Sequence, residues 1–175
     1  MLKLTNVLEP EKIYNESDFY IPVSIWFKDW NDNVSYPSHC WGIYSGDRRS
    51  LFEIAINKRT GKIKYITLVL SPKIHHEMPS VSDQIKTAIG LPAFETQEWD
   101  RDDYHTALTQ DFNVYIKENR LRIVLLQHPF ALKIINDRVI FYFDKDNVLC
   151  AIEITDISLE AKDLLEESLK ATEAW

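Results

Sequence analysis

Apolar and polar residues alternate with a period of two over much of this chain. That spacing turns one face of a β-strand into a core and the other toward solvent. Phe52, Ile54 and Ile56 alternate with Glu53, Ala55 and Asn57, and Ile63, Tyr65, Thr67 and Val69 alternate against Lys62 and Lys64. The turn between these arms, Lys58-Arg59-Thr60-Gly61, ends in a glycine that supplies a positive φ, so residues 51–70 predict a β-hairpin. Phe112, Val114 and Ile116 lead into Glu118-Asn119, and Leu121, Ile123 and Leu125 lead out, a second hairpin. A third rises through Val139, Phe141 and Phe143 and turns at Asp144-Lys145-Asp146-Asn147. It returns through Leu149, Ala151 and Glu153, with Val148, Cys150, Ile152 and Ile154 on the opposite face.

Shorter signals fill the remainder. Phe19–Phe27 is aromatic and β-branched, and Pro22 within it predicts an edge strand or a bulge. His39–Ser45 reads as a strand stopping at Gly46-Asp47, and Leu132–Ile135 as a strand before an Asn136-Asp137 turn. Val81, Ile85 and Ile89 are spaced for a short helix within Pro79–Gly90. The tail has the clearest helical period. Ser158 caps it, Glu160 and Asp163 sit at its positive end, and Ala161, Leu164, Leu165 and Leu169 form one apolar stripe. Consecutive hairpins predict an antiparallel, mainly β (α+β) fold, a curled sheet or a sandwich, with a C-terminal helix from about Leu159. The 175 residues fit a single domain, 1–175.

Composition narrows the class. The formal charge is −7, which disfavours binding to a phosphate backbone, so no nucleic-acid partner is expected. The N-terminus is acidic by Glu9 and Glu11 and carries no secretory pattern, and no apolar run approaches membrane-spanning length. Cys40 and Cys150 then read as reduced thiols of a cytoplasmic protein. Charge is uneven: residues 1–90 hold 11 Lys/Arg against 10 Asp/Glu, whereas residues 91–175 hold 9 against 17.

Local motifs for chemistry fail on inspection. His75-His76-Glu77 places neighbouring ligands on opposite faces of an extended chain, and neither HExxH nor paired cysteines complete a zinc site. Asp144-Lys145-Asp146-Asn147 begins like a calcium loop but puts Val148 where an oxygen ligand belongs. His39 beside Cys40 suggests a base and nucleophile, yet adjacent strand residues face apart. Asp103 and His105 offer an acid–base pair without a nucleophile elbow. No catalytic residue, metal or cofactor is therefore expected. The densest charge is Glu95, Glu98, Asp100, Asp102 and Asp103, interleaved with Trp99 and Tyr104. Acidic groups that steer a basic partner, with aromatic anchors among them, predict a protein-binding patch. Asp29-Trp30-Asn31-Asp32 repeats that chemistry on a smaller scale, as a second contact or as a polar turn around a core tryptophan.

Three segments carry a family resemblance. Phe52–Val69 resembles a hairpin recurring in immunity proteins of bacterial polymorphic toxin systems, including those that accompany contact-dependent growth inhibition toxins. Gly90-Leu91-Pro92-Ala93-Phe94 is similar to a junction in the same proteins, and Arg138–Ile154 resembles both them and a small bacterial family of unknown function. The resemblance implies a non-enzymatic antidote that binds one cognate toxin domain, commonly a basic nuclease. It brings no catalytic residues. Two other classes remain open: a small hydrolase using carboxylates or the His39–Cys40 region in a sheet cleft, and a structural or assembly protein.

Overall fold

A computed structural model describes residues 1–27, 37–46, 50–71, 73–96 and 104–171, with the side chains of 70 and 168–171 left aside. Among these residues the chain is mostly β, arranged in three sheets that are largely antiparallel and not closed, with one helix near its end.

The first large sheet is built from β2 (Ile13–Asn15), β3 (Val23–Phe27), β4 (Ser38–Tyr44), β5 (Leu51–Asn57), β6 (Ile63–Leu70) and β10 (His105–Thr109), in the order β10-β4-β5-β6-β3-β2. The second contains β7 (Ile74–His75), β8 (Lys86–Ile89), β11 (Asn113–Lys117), β12 (Arg120–Val124), β13 (Leu132–Asn136), β14 (Val139–Phe143) and β15 (Leu149–Ile154). Its order is β7-β11-β12-β15-β14-β13-β8. The three predicted hairpins are β5–β6, β11–β12 and β14–β15, each antiparallel. β10, β7 and β8 instead join as parallel edge strands on β4, β11 and β13.

Period-two alternation sends one face of each large sheet into a single shared core. Ile25 and Phe27, Ile43, Phe52 and Ile54, and Ile66 and Leu68 come from the first sheet. Val114, Ile123, Ile134, Phe141 and Ile152 come from the second. Phe27 meets Phe141 across the interface at 5.8 Å between ring centroids, and Phe52 meets Phe112 at 6.1 Å. A sandwich is therefore the form the predicted sheet takes.

A two-stranded ribbon of β1 (Leu4–Leu8) and β9 (Leu91–Phe94) ties the sheets together at one end. β9 is buried along its whole length and bridges to Lys62 of the first sheet, while Lys3 bridges to Val148 of the second. The Phe94 ring lies tilted against Phe143 at 6.2 Å between centroids, and the Phe94 N–H donates to the Gly61 carbonyl at 2.7 Å. The approach is close enough to require glycine. Gly61 has φ +72°, and a Cβ there would lie 2.1 Å from the Phe94 carbonyl oxygen.

Three sequence expectations change here, and the His75–Glu77 segment takes a definite place. The helix predicted within Pro79–Gly90 is absent: Lys86–Ile89 forms β8, whose Lys86 and Gly90 N–H groups donate to Ala131 and Ile135 carbonyls beside β13. Pairing with an unfilled sheet edge outweighs a three-residue helical period, and Ile89 is 74% exposed. Only Val23–Phe27 of the Phe19–Phe27 run is a strand, and it lies between β2 and β6, so Pro22 marks its start and not an edge. His75 lies in β7 and stacks on Tyr115 at 5.0 Å, while His76 and Glu77 stay exposed. In β15 a register shift opposite Tyr142/Phe143 takes up Cys150, so Leu149 enters the same core as Ile152 and Ile154.

The tail is helical where its sequence predicts, but of the predicted stripe Leu164 is 37% exposed and the Leu169 side chain lies outside the described residues. Helix α1 spans Leu159–Ala171, Ser158 Oγ accepts the Ala161 N–H at 3.1 Å, and Leu165 is buried in the core. The Asp144–Asn147 segment is a hairpin turn. Asp144 Oδ1 accepts the N–H groups of Asp146 and Val148, each at 2.9 Å, and Oδ2 accepts from His128 Nδ1 at 2.8 Å. Burial alone raises the Asp144 carboxyl, but these hydrogen bonds outweigh it and hold the group below its ordinary value of 3.8.

Two predictions follow from this packing. Gly61→Ala should destabilise the protein by more than about 1 kcal/mol, measured by urea unfolding, because the new Cβ meets backbone and the φ is left-handed. Asp144 has a depressed folded-state value, so its contribution is fully present above pH ~4 and is lost as the pH falls through the folded value. Asp144→Ala should be less stable than wild type at pH 7, and the gap should narrow on acidification below pH ~4. Thermal melts of both proteins across that range will show it.

Candidate functional site

Because the inner faces are consumed by the core, polar chemistry is confined to the two outer faces. On the outer face of the first sheet, a row of cross-strand neighbours runs over all six strands. Tyr14 on β2 pairs with Trp26 on β3, and Trp26 pairs with Tyr65 on β6. Tyr65 pairs with Ala55 on β5, Ala55 with Cys40 on β4, and Cys40 with His105 on β10. Trp26 and Tyr65 are in ring contact at 4.5 Å. Tyr14 is 44% exposed at one end of the row, and His105 is exposed at the other.

The His105 end is the polar one. Glu53, opposite Gly42 in the next register, lies beside Cys40, and Tyr44 Oη is 3.5 Å from His105 Nε2. Burial first and the charge of Glu53 second push the Cys40 thiol up to about 11, partly offset by a hydrogen bond from Tyr65. A thiol held there stays protonated at neutral pH and is not an activated nucleophile. Its sequence neighbour His39 points the other way: it is buried in the sandwich with Thr106 Oγ1 2.7 Å from its Nε2. His39 and Cys40 thus face apart, as strand parity predicts, and the imidazole that faces Cys40 belongs to His105.

Two members of the acidic patch lie among the described residues. Glu98, Trp99, Asp100, Asp102 and Asp103 lie outside the described residues, as does Asp29-Trp30-Asn31-Asp32. The flanking members are placed. Glu95 is exposed where the chain leaves β9, its N–H donating to the Lys3 carbonyl at 2.9 Å. Tyr104 is 55% exposed, its carbonyl accepts the Cys40 N–H at 2.8 Å, and Lys58 Nζ stands 4.6 Å from its ring centre. Tyr104 therefore stands exposed just before β10, against β4 and Lys58.

Sequence reasoning missed Tyr14, Trp26, Tyr65 and Glu53. Alternation groups Tyr65 with Ile63, but a register shift opposite Ala55/Ile56 keeps Ile63 in the core, turns Tyr65 outward beside Ala55, and sends Ile66 and Leu68 inward instead. The meeting of Cys40 with His105 depends on a parallel pairing that no local pattern encodes.

The outer face of the second sheet is closed differently. Arg122 Nε donates to Glu153 Oε2 at 2.6 Å, Arg120 pairs with Oε1, and the Tyr142 hydroxyl donates to Oε2 at 3.2 Å. Arg122 Nη1 also donates to the Pro79 carbonyl at 2.6 Å, which straps residues 78–83 over the sheet. Val81, Ile85 and Phe130 pack there against Tyr142 and Ile140. Burial first and Glu153 second push the Tyr142 hydroxyl up to about 12. A cavity of about 400 Å³ remains between the strap and Lys117, Arg120 and Lys133. Among the described residues no helix is long and apolar enough to cross a membrane. No protein-family model and no curated protein matches the chain.

Glu153→Gln should cost about 3–5 kcal/mol in urea unfolding, because it leaves the buried Arg122 guanidinium without its counter-charge. The double variant Arg122→Met/Glu153→Leu should recover a large part of that loss.

Proposed function

We propose that this protein is a cytoplasmic immunity protein that captures a basic, nuclease-type toxin domain on the outer face of the first sheet. The observation that carries the reading is the Tyr14–Trp26–Tyr65 row, which leaves aromatic surface on this outer face, while Tyr104 stands exposed just before β10. Tyrosine and tryptophan are the side chains that anchor protein interfaces at low entropic cost. The charge of −7, concentrated after residue 90, complements a toxin that must itself bind a polyanion. The resemblance of Phe52–Val69 and Arg138–Ile154 to immunity proteins agrees with this reading, and the hairpins that carry it supply much of the scaffold. Glu95, Glu98, Asp100, Asp102 and Asp103 steer the encounter, while Trp99, Tyr104 and the row hold the complex.

The test is whether a toxin domain is encoded directly upstream, and, with that domain, co-purification followed by rescue from its toxicity. Tyr14→Ala, at an exposed position, should weaken the complex by about 2 kcal/mol with an unchanged melting temperature if Tyr14 is an interface anchor. Replacing Asp100, Asp102 and Asp103 together by Asn should slow association at low salt and flatten its salt dependence. Absence of a complex, or wild-type binding by both variants, would overturn the proposal.

A further inference from the structure

The His105 end of the row holds a group of donors that toxin capture does not use. A thiol from Cys40, a carboxylate from Glu53 and an imidazole from His105 converge from three adjacent strands, β4, β5 and β10. One donor atom from each lies within 4.8 Å of the other two. Gly42 makes the convergence possible. A Cβ at that position would lie 2.9 Å from Tyr44 Cε2 and 3.2 Å from His105 Nε2, so the missing side chain is the space into which both rings lean.

We propose that Cys40, Glu53 and His105 form a binding site for a zinc-class divalent cation that clamps β5, β4 and β10 together. Sulfur, imidazole nitrogen and carboxylate oxygen are the three donor types zinc selects, with bonds of about 2.0–2.3 Å. Such bonds place the donors of a tetrahedron roughly 3.3–3.8 Å apart. Rotation of side chains that are half-buried or exposed closes the remaining distance. The thiol excludes magnesium and calcium, which take oxygen ligands. Three protein donors leave the fourth position for water on the solvent side of His105. Tyr65, hydrogen-bonded to the Cys40 sulfur, and Tyr44, beside the His105 ring, are the neighbours that orient the ligands.

A second trio, His128, Asp144 and Cys150, is equally close but already committed. Asp144 spends both oxygens on the turn and on His128, and the buried Cys150 thiol donates to the Val148 carbonyl at 3.2 Å. The expectation of a metal-free protein rested on local spacing alone, and the Cys40 site has none to find. A cation here would fix the start of β10 and with it the end of the acidic segment at Tyr104, but the site does not depend on toxin binding.

The full chain, stripped with a chelator, is titrated with Zn²⁺ against a chromogenic competitor and with Co²⁺ as a spectroscopic probe. We expect one equivalent of zinc and a thiolate-to-cobalt charge-transfer band. Cys40→Ser should abolish the band. His105→Ala, on an exposed edge strand, should weaken zinc by more than the ~10–100-fold that loss of an orienting neighbour costs. Gly42→Ala, which keeps all three donors, should weaken zinc within that range. His128→Ala should bind as wild type, and circular dichroism will confirm that each variant folds. Failure to bind one equivalent, wild-type affinity in folded His105→Ala, or loss of binding in His128→Ala would each overturn the proposal.

Discussion

Everything in this molecule depends on two sheets having to cover each other. Among the described residues neither large sheet has a helix on its inner face; each buries its apolar side against the other, and α1 adds Leu165 to the shared core. Strand parity then decides the fate of every side chain. His39 goes into the core and Cys40 goes out, one residue apart on the same strand. The ribbon of β1 and β9 keeps the sheets in register at one end, and the backbone contact of Phe94 with Gly61 is where that register is fixed.

The two outer faces solve the problem of exposure in opposite ways. The second sheet carries charge near its centre, and Glu153 is tolerated there because Arg122, Arg120 and Tyr142 satisfy it and residues 78–83 cover it. Removing an ion from water is expensive, so such a group is kept only inside a network. The first sheet carries rings along its row. Tyrosine and tryptophan tolerate half-exposure because an apolar body ends in a polar tip.

Most of the architecture was legible in the sequence, and the reason is locality. β5–β6, β11–β12 and β14–β15 each contain both partners and the turn within about twenty residues, so alternation and turn chemistry specify them. The parallel edge strands were not legible. β10 meets β4 some sixty residues earlier in the chain, and the run leading into β8 mimicked a helix because Val81, Ile85 and Ile89 share a helical spacing. The same limit applies to function. The acidic run from Glu95 to Tyr104 is a contiguous composition signal and was readable. The Tyr14-to-His105 row is assembled from six strands and exists only after folding.

The outermost strands are all short: two residues in β7, three in β2, four in β8 and five in β10. A sheet rim is a template on which another chain can add a strand, and long flat rims are where β proteins polymerise. Rims this brief offer too few unpaired amide and carbonyl groups to register an added strand. The protein can therefore keep the aromatic residues of its outer face exposed without zipping, rim to rim, into fibrils of itself.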